Sequence, residues 1–331
     1  MTAKVNTVCI IGTGLIGGSL ALALKKSVFC RRIVGAGRTE ATLKKALELG
    51  VVDDYETDFS LAVKDADIVV VAVPLSAMKN VFEQIAPALS STAVVTDAGS
   101  AKQTVIKDAE SAFGKDFNRF VAGHPISGTE KSGVTAAFTE LYENRKVILT
   151  PTDKVDSGAV DLIADMWRAA GAEVETMSAE HHDMVLAGTS HLPHILAFGL
   201  VDCLNNLDEV DEVFRFAAGG FRDFTRIAAS DPLMWHDIFL ANQDSLLKVL
   251  DHFSQDLTHL KKAIEDKDSQ RLLGVFTRAK AAREHFTKIL AGHSYTNTMN
   301  TNNVTFKIKS VGSVKGSIRV AGDKSISHRS I

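Results

Sequence analysis

At 331 residues the chain exceeds what one ordinary core organises, so two domains are expected. A hydrophobic share of 45% with 23% charged residues is the balance of a soluble globular protein, and a net charge of -3 gives no basis for partnership with nucleic acid or an anionic membrane. The cysteines, Cys9, Cys30 and Cys203, show no paired spacing, which argues against a disulfide framework or a zinc ribbon.

No secretory segment precedes Val8, and no apolar run reads as long enough to span a bilayer, so a reducing, cytoplasmic setting is expected. Along the first half, short apolar runs alternate with helical patterns. Strands are expected at Val8–Ile11, Arg32–Gly35, Ile68–Val73, Ala93–Thr96, Phe120–Ala122 and Lys146–Leu149, and helices over Ser19–Lys26 and Glu40–Leu49. Continuous β-branched runs suit strands covered on both faces, and their alternation with helices implies a Rossmann-type α/β domain on a parallel sheet over residues 1–177.

From about Met177 helical periodicity takes over, from Ala179 to Leu207 and again from Asp231 to Leu290, with Pro193 marking a kink and Pro232 a helix start. Residues 178–291 therefore read as an all-α domain whose apolar faces exceed the needs of one small bundle, which points to a homodimer. Residues 292–303 are rich in Asn and Thr and read as a linker; Val304–Ile331 is too short for a core of its own.

The turn after the first strand is Gly12-Thr13-Gly14-Leu15-Ile16-Gly17. Its glycines permit a tight turn, close approach of the backbone to a pyrophosphate, and close helix–strand packing, while the helix N-terminus offers amide donors. A dinucleotide is the expected ligand. The second strand ends at Gly37-Arg38-Thr39 without the acid that usually meets an adenosine ribose. Arg38 and Thr39 suit a 2′-phosphate, which favours NADP+ without excluding NAD+; an Arg stacked on adenine or simply solvated is the other reading. Val73-Pro74 lies at the carboxyl edge of the sheet, either touching the cofactor or only ending the strand.

Two further strand ends bring polar groups to that edge, Asp97-Ala98-Gly99-Ser100-Ala101-Lys102 and Gly123-His124-Pro125. A neutral histidine beside a nicotinamide can take a hydroxyl proton during hydride transfer, and Ser100 either bonds the same hydroxyl or orients the imidazole. His191 and His194 share a helical face, but the spacing and missing glutamate do not fit a zinc protease pattern, and no metal site is read there. His181-His182-Asp183 reads as a surface cluster at a helix start. In Gly219-Gly220-Phe221-Arg222-Asp223-Phe224-Thr225-Arg226, the two arginines either grip carboxylates or pair with Asp223 on the surface.

Together, the glycine turn, Asp97-x-Gly-Ser100-x-Lys102, Gly123-His124-Pro125, Ser190-His191-Leu-Pro-His194 and the string from Gly219 to Arg226 resemble the prephenate/arogenate (cyclohexadienyl) dehydrogenases of tyrosine biosynthesis over about residues 5–290. The resemblance implies His124 as the catalytic histidine at the substrate's ring hydroxyl, with Ser100 as its helper. It implies Arg226 at a substrate carboxylate, His194 near the side chain, and Glu130 as a gating acid. It further implies that Gly219, Asp223 and Trp235 reach the pocket from a partner subunit, with His191 and Arg222 nearby.

Two rivals share parts of this pattern. A 3-hydroxyacid dehydrogenase of the 6-phosphogluconate type would need a lysine where Ser190–His194 stands, and a non-catalytic dinucleotide-sensing module would not need His124, Ser100 and Arg226 together. Gly322-Asp323-Lys324-Ser325-Ile326-Ser327-His328-Arg329 resembles the opening of 5-enolpyruvylshikimate-3-phosphate synthase. Residues 304–331 thus read as the loosely ordered, truncated start of a synthase-like domain, as in a fusion.

Overall fold

Strand β1 (Val5–Ile11) shows why the sheet forms. Its last four residues are buried, and alternate side chains enter different cores: Val8 and Ile10 one, Cys9 and Ile11 the other. Period-two alternation inside a continuous apolar run is what a strand covered on both faces requires. This computed structural model describes residues 3–129, 131–208 and 210–290.

After β1 come α1 (Leu15–Lys26), β2 (Cys30–Ala36), α2 (Glu40–Glu48), β3 (Asp54–Glu56), α3 (Phe59–Val63), β4 (Ile68–Val71), α4 (Leu75–Ile85), β5 (Val94–Asp97), α5 (Gln103–Phe113) and β6 (Phe120–Val121). The six strands pair in parallel in the order β3-β2-β1-β4-β5-β6. This doubly wound order places its ligand crevice at the carboxyl ends of β1 and β4, where the direction of winding reverses. One core includes Trp167, whose ring meets Tyr142 edge-on. The other is built on Phe82, Phe113, Phe117 and Phe120.

The expected strand at Phe120–Ala122 is in fact two. The chain leaves the parallel sheet after Val121 and re-forms as β7 (Gly123–Pro125). β7 pairs antiparallel with β8 (Lys146–Leu149), and β8, followed by α6 (Ser157–Ala169), pairs parallel with β9 (Glu173–Thr176). Thus Lys146–Leu149 belongs to a separate three-stranded sheet. The diversion has a local cause: the amide and carbonyl of Gly123 are taken by the side chains of Asp97 and Lys102.

The remaining elements are helical. They are α7 (Ala179–Leu186), a π-helical turn at Ala187–His191, α8 (Leu192–Asn205), α9 (Val210–Arg215), α10 (Gly219–Thr225), α11 (Pro232–Ala241), α12 (Gln243–Glu265) and α13 (Ser269–Leu290). Pro193 lies directly after this π turn, inside the continuous helical run Ala179–Asn205, where a proline removes a backbone hydrogen bond and a π turn is a common companion. Asp231 caps α11, accepting from Met234 N at 2.8 Å.

Among the described residues the chain divides after Asp256 into two compact units, the second running from Leu257 to residue 290. Within the first, α7 packs on α5 and α11 on α4. One expectation is overturned: Ala179–Asn205 is a helical run of 27 residues with mean hydropathy 1.4, long and apolar enough by length and composition to cross a membrane. Its histidines and Asp183 interrupt the apolar pattern, and several of them are bonded into the site below. The linker and the synthase-like tail lie outside the described residues.

Candidate active site

The glycine turn does three separate jobs. Gly12 has φ +97°, and a Cβ there would stand 2.3 Å from the Ala72 carbonyl oxygen. A Cβ on Gly17 would stand 2.1 Å from the Gly12 oxygen, so this residue lets α1 press on the turn. Gly14 has open space where its Cβ would be, and as the residue preceding α1 it offers no side-chain cap to the helix. An uncapped helix N-terminus beside open space fits a pyrophosphate. The adjoining cavity of about 640 Å³ is lined by Gly12, Thr13, Gly14, Arg38, Thr39, Val73 and Pro74, among others. Arg38 and Thr39 are exposed at its rim, while Leu15 is buried and Ile16 half-buried in the first turn of α1. The residues therefore fit a dinucleotide.

His124 is buried on β7, and its ring is part of a chain that the motif strings did not reveal. Its Nδ1 lies 2.8 Å from Nε2 of His182, whose own Nδ1 lies 2.8 Å from Asp183 Oδ1. A carboxylate only accepts, so His182 donates from Nδ1. With His182 neutral, its Nε2 accepts, and His124 donates from Nδ1. That leaves Nε2 of His124 with a free lone pair, the form a proton acceptor needs. Burial, reinforced by the nearby His182, Lys102 and His191, drives the His124 pKa well below its usual value of 6.5. Burial alone would raise the Asp183 pKa, but hydrogen bonds from His182, Gln103 and Lys102 outweigh it, and the carboxylate stays charged.

The expected surface cluster His181-His182-Asp183 is therefore corrected. His182 and Asp183 are wholly buried, because the turn of α7 that carries Leu186 inward also carries them inward. His182 is the imidazole's orienting partner, and Ser100, half-buried on the β5–α5 loop, is not bonded to His124 among the described residues.

Lys102 was visible in the sequence without a role. It is fully buried, paired with Asp97, and donates to the Gly123 carbonyl at 2.7 Å. Asp97 also accepts from the amides of Gly99 at 2.7 Å and Gly123 at 3.1 Å. The main-chain amide of Lys102 donates to Asp183 Oδ1 at 2.8 Å. One residue thus grips the strand carrying His124 and the carboxylate ending the histidine chain.

The helical segment supplies the opposite wall. His194 bonds the Ser190 carbonyl at 2.8 Å through Nδ1 and stacks on Trp235 at 3.6 Å. Trp235 reaches this position from α11, whose capped start turns it onto α8. Burial lowers the His194 pKa; its bond to the Ser190 carbonyl opposes this, and the charge of Arg226 adds to the lowering. Burial also takes His191 down to about 4. Arg222, Asp223, Arg226 and Gly219 are exposed, and among the described residues no ion pair joins Asp223 to either arginine. α11 is latched to the sheet region by Asp237, which accepts from Ser76 N at 3.3 Å, and by Thr104, which donates to the Ala241 carbonyl at 2.7 Å. Glu130 lies outside the described residues.

A doubly wound sheet with this glycine cradle and a neutral buried histidine at its carboxyl edge defines a nicotinamide-dependent dehydrogenase. Comparison with known proteins narrows the class. Residues 20–176 match a family model described as "Prephenate dehydrogenase, nucleotide-binding domain", and residues 178–278 match "Prephenate dehydrogenase, dimerization domain". A cyclohexadienyl dehydrogenase of Zymomonas mobilis is 40% identical over 280 residues, covering 83% of this chain and 94% of the relative. A prephenate dehydrogenase of Bacillus subtilis is 39% identical over 286 residues, covering 86% and 77%. The crystal structure of prephenate dehydrogenase from Aquifex aeolicus in complex with hydroxyphenyl propionate and NAD+ aligns with a TM-score of 0.79 at 40% identity, covering 85% of this chain and 98% of that one. The chain belongs to the prephenate dehydrogenase family, which sets aside the 6-phosphogluconate-type and sensor readings.

Proposed function

We propose that this chain catalyses the oxidative decarboxylation of prephenate, arogenate or both, on the route to tyrosine. The observation that carries the proposal is the His124–His182–Asp183 chain, which leaves an unprotonated Nε2 at the carboxyl edge of the sheet. The bound dinucleotide supplies the hydride acceptor. His124 takes the proton of the ring hydroxyl as hydride leaves the carbon that bears it. The resulting dienone makes the substrate's ring carboxylate a vinylogous β-keto acid. Its C–C bond breaks, the electron pair enters the ring, and carbon dioxide departs. The phenolate oxygen so formed recovers the proton from His124, so the histidine returns to its starting state. Aromatisation makes the second stage downhill, and the protein's task is orientation and proton handling.

In this reading Ser100 bonds the ring hydroxyl, Arg226 holds a substrate carboxylate, and His194, His191 and Trp235 face the side chain. Arg222, Gly219, Asp223 and Glu130 complete the rim. Arg38 and Thr39, at the edge of a cavity lined by no acid, receive the 2′-phosphate of NADP+, with NAD+ accepted as well. Two copies pair through the helical segment, which exposes Phe216 at 72% and Leu240 at 60% and matches a family model described as a dimerization domain. A cytoplasmic setting suits such an enzyme. The test is to mix the protein with each substrate and each of NAD+ and NADP+, following reduced-nicotinamide absorbance and carbon dioxide release. Turnover in at least one combination is expected; none in all four would overturn the proposal.

A further inference from the structure

Asn242 stands just beyond the last turn of α11, buried, where no motif pointed to it. Its Nδ2 lies 2.8 Å from the main-chain carbonyl of Asp183 and 3.1 Å from Nδ1 of His191. A carbonyl oxygen only accepts, so the group facing it is the amide NH2 and not the amide oxygen. One of its protons goes to Asp183, and the other is directed to His191 Nδ1, which therefore accepts. A neutral imidazole that accepts at Nδ1 carries its proton on Nε2. His124 and His182 have the reverse assignment, with the proton on Nδ1. The two tautomers come from two kinds of partner: the Asp183 carboxylate accepts a hydrogen bond from His182, while Asn242, anchored to the carbonyl of the same Asp183, donates one to His191.

We infer that Asn242 is a positioning residue that fixes His191 as an Nε2–H donor for an anionic oxygen of the substrate, opposite in sense to the acceptor nitrogen of His124. The inference rests on the substrate reading above for the identity of the acceptor, but not for the tautomer. The groups acting on His191 are Asp183, which favours its charged form, and His182 and His194, which oppose it; burial prevails and keeps the ring neutral near pH 7. The donor capacity therefore comes from the tautomer and not from charge. The same α11 that carries Asn242 at one end carries Trp235 against His194 at the other, so one helix sets the donor and the ring stack together.

The experiment uses the full chain labelled with [15N]histidine and a long-range 1H–15N correlation, which separates protonated from bare ring nitrogens. The chain has 11 histidines, and the His191 signals are those lost in His191→Gln. In the wild type without ligand, His191 is expected protonated at Nε2 and bare at Nδ1 across roughly pH 6 to 8. In Asn242→Asp the carboxylate accepts, so the proton moves to Nδ1. The substrate KM then rises about 10- to 100-fold, the effect of losing a hydrogen bond to a charged group, while the cofactor KM holds. A wild-type His191 protonated at Nδ1 overturns the inference, and so does an Asn242→Asp enzyme whose substrate KM is unchanged. If the variant does not fold, the wild-type spectrum decides alone. Because that spectrum is read without substrate, absence of turnover strikes the proposed reaction and leaves the tautomer assignment standing.

Discussion

The glycine turn and the histidine chain solve opposite problems. The turn is contiguous, built from backbone, and needs only the strand and helix that flank it; its functional feature is space. The histidine chain is assembled from side chains 58 residues apart on β7 and α7, and its functional feature is the removal of water. A backbone cradle survives changes elsewhere as long as β1 and α1 meet. A buried proton acceptor depends on everything that keeps it dry and neutral, including the Asp97–Lys102 pair that diverts the chain into β7. Cofactor binding and proton transfer should therefore fail separately.

The strongest way to break that separation is His124→Asn. We expect kcat to fall about 10²- to 10⁴-fold, the span of general base catalysis, with cofactor affinity and unfolding midpoint unchanged. A parallel loss of cofactor affinity by titration calorimetry would show the two sites to be one. Next is Lys102→Met, which strands the Asp97 carboxylate in full burial. An uncompensated buried charge costs about 3–5 kcal/mol, to be read from chemical denaturation, and Asp97→Asn added to it should recover part of the loss. Recovery absent, with the single variant as stable as the wild type, would remove the clamp from the account. Smallest is Gly14→Ala. The open space there tolerates a methyl group, so stability holds, while the cofactor KM rises roughly tenfold, about 1.4 kcal/mol of obstructed phosphate contact. A change in kcat in place of KM would contradict the role given to that space.

The same contrast decides what could be read from the chain. Val8–Ile11 and Ile68–Val71 announce a two-faced sheet because their apolar runs are continuous, and Gly12–Gly17 announces the cradle because its geometry is local. β3 and β9 are short, contain no buried residue and carry no such run. The departure of Gly123 from the parallel sheet depends on Asp97 and Lys102, which pattern alone does not couple to it. His182 and Asp183 read as solvated because they are polar at a helix start. The available signal was Leu186, four residues beyond His182 on the same face. Asn242 had no local signal: it lies at a break between helices, and its partners are fixed only by tertiary packing.

In the proposed reaction His124 acts as a neutral base held dry by its surroundings. Burial disfavours the imidazolium, so the neutral form persists as pH falls through the ordinary histidine range, and the loss of activity on acidification is displaced downward. The pH dependence of kcat/KM for the wild-type enzyme reads this directly, because it reports the free enzyme's essential base. We predict an acid limb well below pH 6.5, with activity largely retained at pH 6. A limb at or above 6.5 would mean that the catalytic base is solvated or stabilised as a cation, and would contradict the account.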